Sequence, residues 1–94
     1  MHLLAEGLLP GVSDLFLPWP SGAYAGAFIE MKAGNNKLSD KQEQFLLSMR
    51  DHGYAAVVVW GWIAAADFIT SYMQLADNQS LDPKYNNLCK PKLK

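Results

Sequence analysis

What most constrains this chain is a pair of short β-forming segments on either side of a run of turn formers. Gly11-Val12-Ser13-Asp14-Leu15-Phe16-Leu17 and Ala27-Phe28-Ile29-Glu30-Met31-Lys32 are rich in apolar and β-forming residues. Between them, Pro18-Trp19-Pro20-Ser21-Gly22-Ala23-Tyr24-Ala25-Gly26 is dense in Pro, Gly and Ser. The pattern predicts a hairpin centred near Gly22. That centre sets Asp14 opposite Glu30 and Phe16 opposite Phe28 on one face, and strand alternation puts Lys32 on the same face as Glu30. Directly opposed residues carry Cβ atoms roughly 4.5–5.5 Å apart. Two carboxylates so close repel unless a cation stands between them or one holds a proton. A hard divalent ion with oxygen ligands is the simplest resolution. Taken alone, Glu30-Met31-Lys32 also fits a solvated strand face with a weak surface pair. The almost wholly apolar surroundings argue for polar groups set into a packed region instead.

Periodicity supplies the remaining elements. Residues 3–6 read as a helical turn ending at Gly7 and Pro10, and Ala33-Gly34-Asn35-Asn36-Lys37 reads as a loop. Ser39 is a helix N-cap with Gln42 three residues on, a capping-box pattern, and Gly53 is placed to end that helix near His52. Phe45, Leu46 and Met49 follow Gln42 at helical spacing, so Gln42 lies on the apolar stripe. Ala55-Ala56-Val57-Val58-Val59-Trp60 is a continuous apolar run, as in a strand buried on both faces. A second helix is expected over Ile63–Ala76, with Phe68, Ile69, Tyr72 and Met73 on one face, and a loose polar tail from Asp77. The order hairpin, helix, strand, helix predicts an α/β fold, a small mixed sheet flanked by helices. In it the helix bearing Gln42 starts just past the strand bearing Glu30 and Lys32. Domain organisation is read as residues 1–76 for the folded unit and 77–94 for the tail.

With 94 residues, half of them apolar, the chain is one small globular domain. Burial is limited at that size, and self-association is a common remedy. The net charge of −1 gives no general basic signal for nucleic acid. Its distribution is uneven: residues 1–76 hold four basic and seven acidic residues, net −3, and residues 77–94 hold four lysines against Asp77 and Asp82, net +2. A basic end of this kind fits either a phosphate backbone or a solubilising segment. The lone Cys89 excludes a disulfide framework or Cys-based zinc site within the chain and favours a reducing, intracellular setting. No signal peptide is apparent, and the apolar run Tyr54–Ala66 is too short to span a bilayer. His2 and His52 read as surface residues. Trp60-Gly61-Trp62 fits a core or subunit contact best, with base stacking as the alternative.

Asp14, Glu30-Met31-Lys32 and Gln42 in this topology resemble the restriction-endonuclease-like PD-(D/E)xK nucleases, and more closely the virus-type replication-repair nuclease (VRR-NUC) domain. The matching stretches are Pro10–Leu17, Gly26–Lys32, Leu38-Ser39-Asp40-Lys41-Gln42, Gly53-Tyr54 and Trp60-Gly61-Trp62. Each is weakly specific alone; together and in order they make a strong signal over roughly residues 6–76. Two positions depart from the family pattern. Ser13 stands where Pro usually precedes the first Asp. The family's N-terminal helix carries a further metal-binding Glu, and the one N-terminal glutamate here, Glu6, falls in the segment just before the Asp strand and is not assigned that role.

The resemblance implies that Asp14 and Glu30 hold Mg²⁺ or Mn²⁺, with the main-chain carbonyl of Met31 as a third ligand. It implies that Lys32 orients the attacking water or stabilises the phosphorane, and that Gln42 positions water or a phosphate oxygen. For Gln42 a purely capping role is the competing reading. The implied activity is a metal-dependent, structure-selective DNA endonuclease, similar to Holliday-junction resolvases, leaving a 5′-phosphate and a 3′-hydroxyl. The implied setting is the cytoplasm of a bacterial or phage-infected cell, and the implied partners are branched DNA and a second copy in a C₂ homodimer, with no membrane. Two other readings stay open: a non-catalytic DNA-binding or assembly module of the same fold, and a nuclease domain of a larger repair protein.

Overall fold

In the computed structural model the described residues are 13–86 and Leu88. The early turn expected at 3–6, Glu6, His2 and Cys89 lie outside them.

Three strands form one mixed sheet in the order β1-β2-β3: β1 (Leu15–Leu17), β2 (Ala27–Lys32) and β3 (Ala55–Trp60). The hairpin register agrees with the expected centre. Leu15 pairs with Ile29, Phe16 with Phe28 and Leu17 with Ala27. Phe16 and Phe28 stack with ring centroids 4.4 Å apart. β1 is shorter than its sequence pattern, because its ladder stops at Leu15 and the Asp14 side chain takes the next β2 donor. Gly22 turns the connection with φ of +56°, a conformation costly for any other residue, and a Cβ there would strike the Gln79 carbonyl and Leu75.

β3 runs parallel to β2, Ala27 beside Ala55 through Lys32 beside Trp60, with helix α1 (Asp40–Asp51) as the crossover. α1 begins where its signal predicts: Ser39 accepts from the Gln42 N–H, and the Gln42 side chain accepts from the Ser39 N–H. Helix α2 (Trp62–Met73) follows β3 at once. It ends three residues earlier than expected, because Leu75 and Ala76 continue the apolar pattern without continuing the helix.

Side-chain alternation divides the sheet between the helices. The odd-numbered residues Ala27, Ile29, Ala55, Val57 and Val59 pack against Ala65, Phe68 and Tyr72 of α2. The even-numbered residues Ala56 and Val58, with Phe28 beside them, pack against Leu46, Phe45 and Met49 of α1. At 25 cal/mol per Å² of apolar area, each large buried side chain contributes roughly 1.5–3 kcal/mol. Met73, expected on the buried face, is 47% exposed, since the stripe that meets the sheet runs through 65, 68 and 72.

The segment after Asp77 is not loose as far as it is described. The Gln79 carbonyl accepts from the Ala23 N–H, Leu81 N–H donates to the Tyr24 hydroxyl, and a short 3₁₀ helix (Pro83–Tyr85) sets the Tyr85 ring edge-on to Phe68. Leu88 is 1% exposed among Leu46, Ala56 and Val58. Polar composition misled here because a few anchors, Leu81, Tyr85 and Leu88, carry the packing. No described helix is long and apolar enough to cross a membrane.

Candidate active site

Glu30 sits midway along β2 on the face that packs against α1. It is 2% exposed. A carboxylate so buried needs partners. One oxygen, Oε2, has them: the Gln42 amide donates to it at 3.0 Å, and the Lys32 ammonium lies 3.6 Å away. The other, Oε1, is buried without a hydrogen-bond partner among the described residues. Burial pushes the Glu30 carboxyl above its ordinary value; the charge of Asp14 pushes the same way, and Lys32 opposes them.

Asp14 lies one step beyond the last paired residue of β1 and is exposed. Its Oδ2 accepts the Met31 N–H at 3.1 Å. In the continued ladder that donor would meet the backbone of residue 13. The side chain of Asp14 takes that place, which fixes its carboxylate beside Glu30. Because a strand residue's N–H and C=O point to the same side, the Met31 carbonyl faces this same edge, away from β3. The Lys32 carbonyl faces the other way and accepts from the Gly61 N–H. Sequence reasoning had the two acids opposed but missed the Met31 N–H to Asp14 bond. An acid one residue before a strand that stops short was its only trace.

Gln42 joins the helix cap to the acids. Its Oε1 accepts from the Ser39 N–H at 2.9 Å and from the Lys32 ammonium at 2.8 Å, while its Nε2 donates to Glu30. Only this orientation of the amide satisfies two donors and one acceptor at once. The two readings of Gln42, cap or site, therefore describe one side chain: the capping box fixes its rotamer, and the fixed rotamer spaces Lys32 from Glu30. Asp14, Glu30, Met31, Lys32 and Gln42 are thus brought together. His52 is remote: its ring bonds the Ser48 carbonyl on the far end of α1. Trp60 and Trp62 are 44% and 71% exposed and do not fill the core.

For a divalent cation the donors are of the right kind: two carboxylates from adjoining chain segments and a carbonyl, all hard oxygens. The buried, unpartnered Oε1 of Glu30 is the atom a cation would satisfy. Among the described residues no group of three or more His, Cys, Asp or Glu side chains that could hold a metal ion forms, so the two carboxylates would need the Met31 carbonyl and water to complete a coordination shell.

Comparison with known proteins bears on the same stretch. The VRR-NUC domain family model matches residues 3–61, which include all five residues. Comparison with curated proteins gave no match. Among solved structures, a VRR_NUC domain protein superposes with a TM-score of 0.71 at 33% identity, over 76% of this chain and 60% of that one. The match thus spans 60% of that protein's length. With a match over more than half of its residues and a shared fold at that identity, the chain belongs to the VRR-NUC family of nuclease-type domains.

Proposed function

We propose that the chain is a metal-dependent, structure-selective DNA endonuclease that hydrolyses phosphodiesters to 5′-phosphate and 3′-hydroxyl products. The observation that carries this reading is Glu30, a buried carboxylate set against Asp14 with one oxygen unpartnered among the described residues. An arrangement with that cost in the absence of a ligand suits a residue that binds one. The carboxylates of Asp14 and Glu30, with the Met31 carbonyl, would hold Mg²⁺ or Mn²⁺. When bound, the ion supplies a water of lowered pKa and offsets charge on the phosphate.

The remaining roles belong to the chain's own groups. Lys32, tied to Gln42 at 2.8 Å, presents a fixed ammonium to a non-bridging phosphate oxygen. Gln42 holds that ammonium and Glu30 in one frame and has a second amide hydrogen for water or phosphate. Binding through phosphates makes the affinity salt-dependent and nearly blind to sequence. A four-way junction has two-fold symmetry, and a C₂ homodimer with one site per subunit matches two symmetric cuts.

Incubation with four-way junctions and linear duplex, with Mg²⁺, with Mn²⁺ and with EDTA, tests the proposal. The expected result is ion-dependent cleavage, stronger on the junction and lost in Asp14→Ala. Cleavage indifferent to EDTA overturns it. A non-catalytic DNA-binding module of the same fold is the second reading, favoured by the two carboxylates, and no third, that the described residues bring to the site. Calorimetric titration separates the two: no Mn²⁺ binding with DNA affinity retained selects the module.

A further inference from the structure

β3 is buried from Ala55 through Val59, and then its last residue, Trp60, is 44% exposed. The exposed part is not the polar part. The indole N–H already donates to the Asn36 carbonyl at 2.8 Å, which satisfies the ring's one donor. What remains open to solvent is hydrocarbon and π surface, held in one orientation by the loop between β2 and α1.

Trp60 is also placed by register. It pairs with Lys32 across the parallel ladder, and even-numbered residues of β2 and β3 share a face, so the indole stands on the same side of the sheet as Glu30 and Lys32. Adjacent strands lie about 4.8 Å apart. Successive nucleotides of a strand advance by about 3.4 Å in a duplex and further when unstacked. A phosphate on the Lys32 ammonium therefore brings a neighbouring base within reach of the indole. Lys37, one residue past the carbonyl that pins the ring, is exposed on the same loop.

We propose that Trp60 is a stacking platform for an unpaired base adjacent to the scissile phosphate, so that the preferred substrate is DNA with an unstacked nucleotide at the cut. This rests on the nuclease reading above. It adds a requirement of the substrate: a fully stacked duplex hides the π face that the indole takes, while a junction, flap or single strand presents one.

The test reads binding rather than cleavage. The chain's three tryptophans are Trp19, Trp60 and Trp62. A Trp19→Phe/Trp62→Phe double variant leaves Trp60 as the sole emitter. Labelled single strand, four-way junction and linear duplex are titrated by anisotropy and by tryptophan emission, in EDTA and in Ca²⁺. Trp60 emission is expected to fall on binding single strand and junction. Trp60→Ala is expected to weaken their binding about tenfold, with Trp60→Phe retaining most of it and Trp62→Ala staying within about twofold. Binding of normal strength by Trp60→Ala, or DNA binding that leaves Trp60 emission unchanged, overturns the platform alone. No DNA binding by the wild type in either buffer overturns the nuclease reading and the platform with it.

Discussion

The odd-numbered face of the sheet and the even-numbered face share one backbone. On the odd face, Ala27, Ile29, Ala55, Val57 and Val59 form one apolar cluster with Ala65, Phe68 and Tyr72 of α2. On the even face, Phe28, Ala56 and Val58 meet α1 in the same manner, but Glu30 and Lys32 interrupt the apolar run, and the first turn of α1 supplies an amide instead of a hydrocarbon. The helices differ accordingly. α1 starts with a reciprocal side-chain cap, whereas α2 starts at Gly61 with no side-chain cap bond. The comparison teaches that both faces are packed by apolar side chains, but only the even face sets into that packing a carboxylate with an oxygen unpartnered among the described residues.

The sharpest way to break the comparison is to remove an acid from the even face. Asp14→Ala is expected to lower ion-dependent junction cleavage on the order of a thousandfold, an effect of several kcal/mol on the barrier, with the urea midpoint nearly unchanged. A gel assay beside a denaturation curve checks both halves. The odd face should respond in the opposite sense. Phe68→Ala, at a wholly buried position, is expected to cost about 3–5 kcal/mol of stability in urea unfolding, and folded protein should still cleave.

Ion binding should link the faces through stability. Saturating Mn²⁺ at about one hundred times its Kd is expected to add about 2.7 kcal/mol, read as a rise in Tm, and Asp14→Ala should abolish the rise. The pH dependence has a definite sign. Glu30 has a folded-state pKa above its unfolded value, so the folded state binds the extra proton between the two. Stability in EDTA therefore falls as pH climbs from the ordinary value of 4.5 through the raised one. Glu30→Gln should flatten that slope, and Mn²⁺ should stabilise more at pH 8 than at pH 5. A wild-type slope that matches Glu30→Gln would show that this carboxyl is not under strain. The smallest effect belongs to Ser39→Ala, which removes one cap bond at a cost of about 1 kcal/mol. Its value lies in the separation it makes: the Ser39 N–H that holds Gln42 Oε1 survives in this variant, so cleavage by the folded protein should be nearly unchanged while the helix cap is weakened.

Much of this was legible in the chain. The hairpin centre follows from turn formers between two β-forming segments, and that centre by itself sets Asp14 opposite Glu30. Ser39 and Gln42 announced the start of α1, and the unbroken run Ala55–Trp60 announced a doubly covered strand. Local signals sufficed because each is set by neighbours in sequence. What escaped was set by distant partners. Met73 is apolar and in phase, yet it is exposed because nothing packs over that side of α2 among the described residues. Leu88 is isolated among polar residues, yet it is buried because Leu46 and Val58 leave room for it. Gln42 could be put on the right stripe from spacing, but the three bonds of its amide depend on where β2 ends.

Arg50 has a consequence of a different kind. Among the described residues β3 is an edge strand, as β1 is at the other side, and the backbone of its even-numbered residues faces away from β2. The Arg50 guanidinium donates to the Ala56 carbonyl at 2.9 Å and to Asn86 Oδ1 at 2.6 Å. A rigid cation thus occupies the rim where another molecule's strand would otherwise add on, and it draws the C-terminal segment across the gap. An apolar ribbon such as Ala55–Val59 is prone to intermolecular β-pairing and aggregation when its rim is bare. The protection is built from one side chain of the crossover helix.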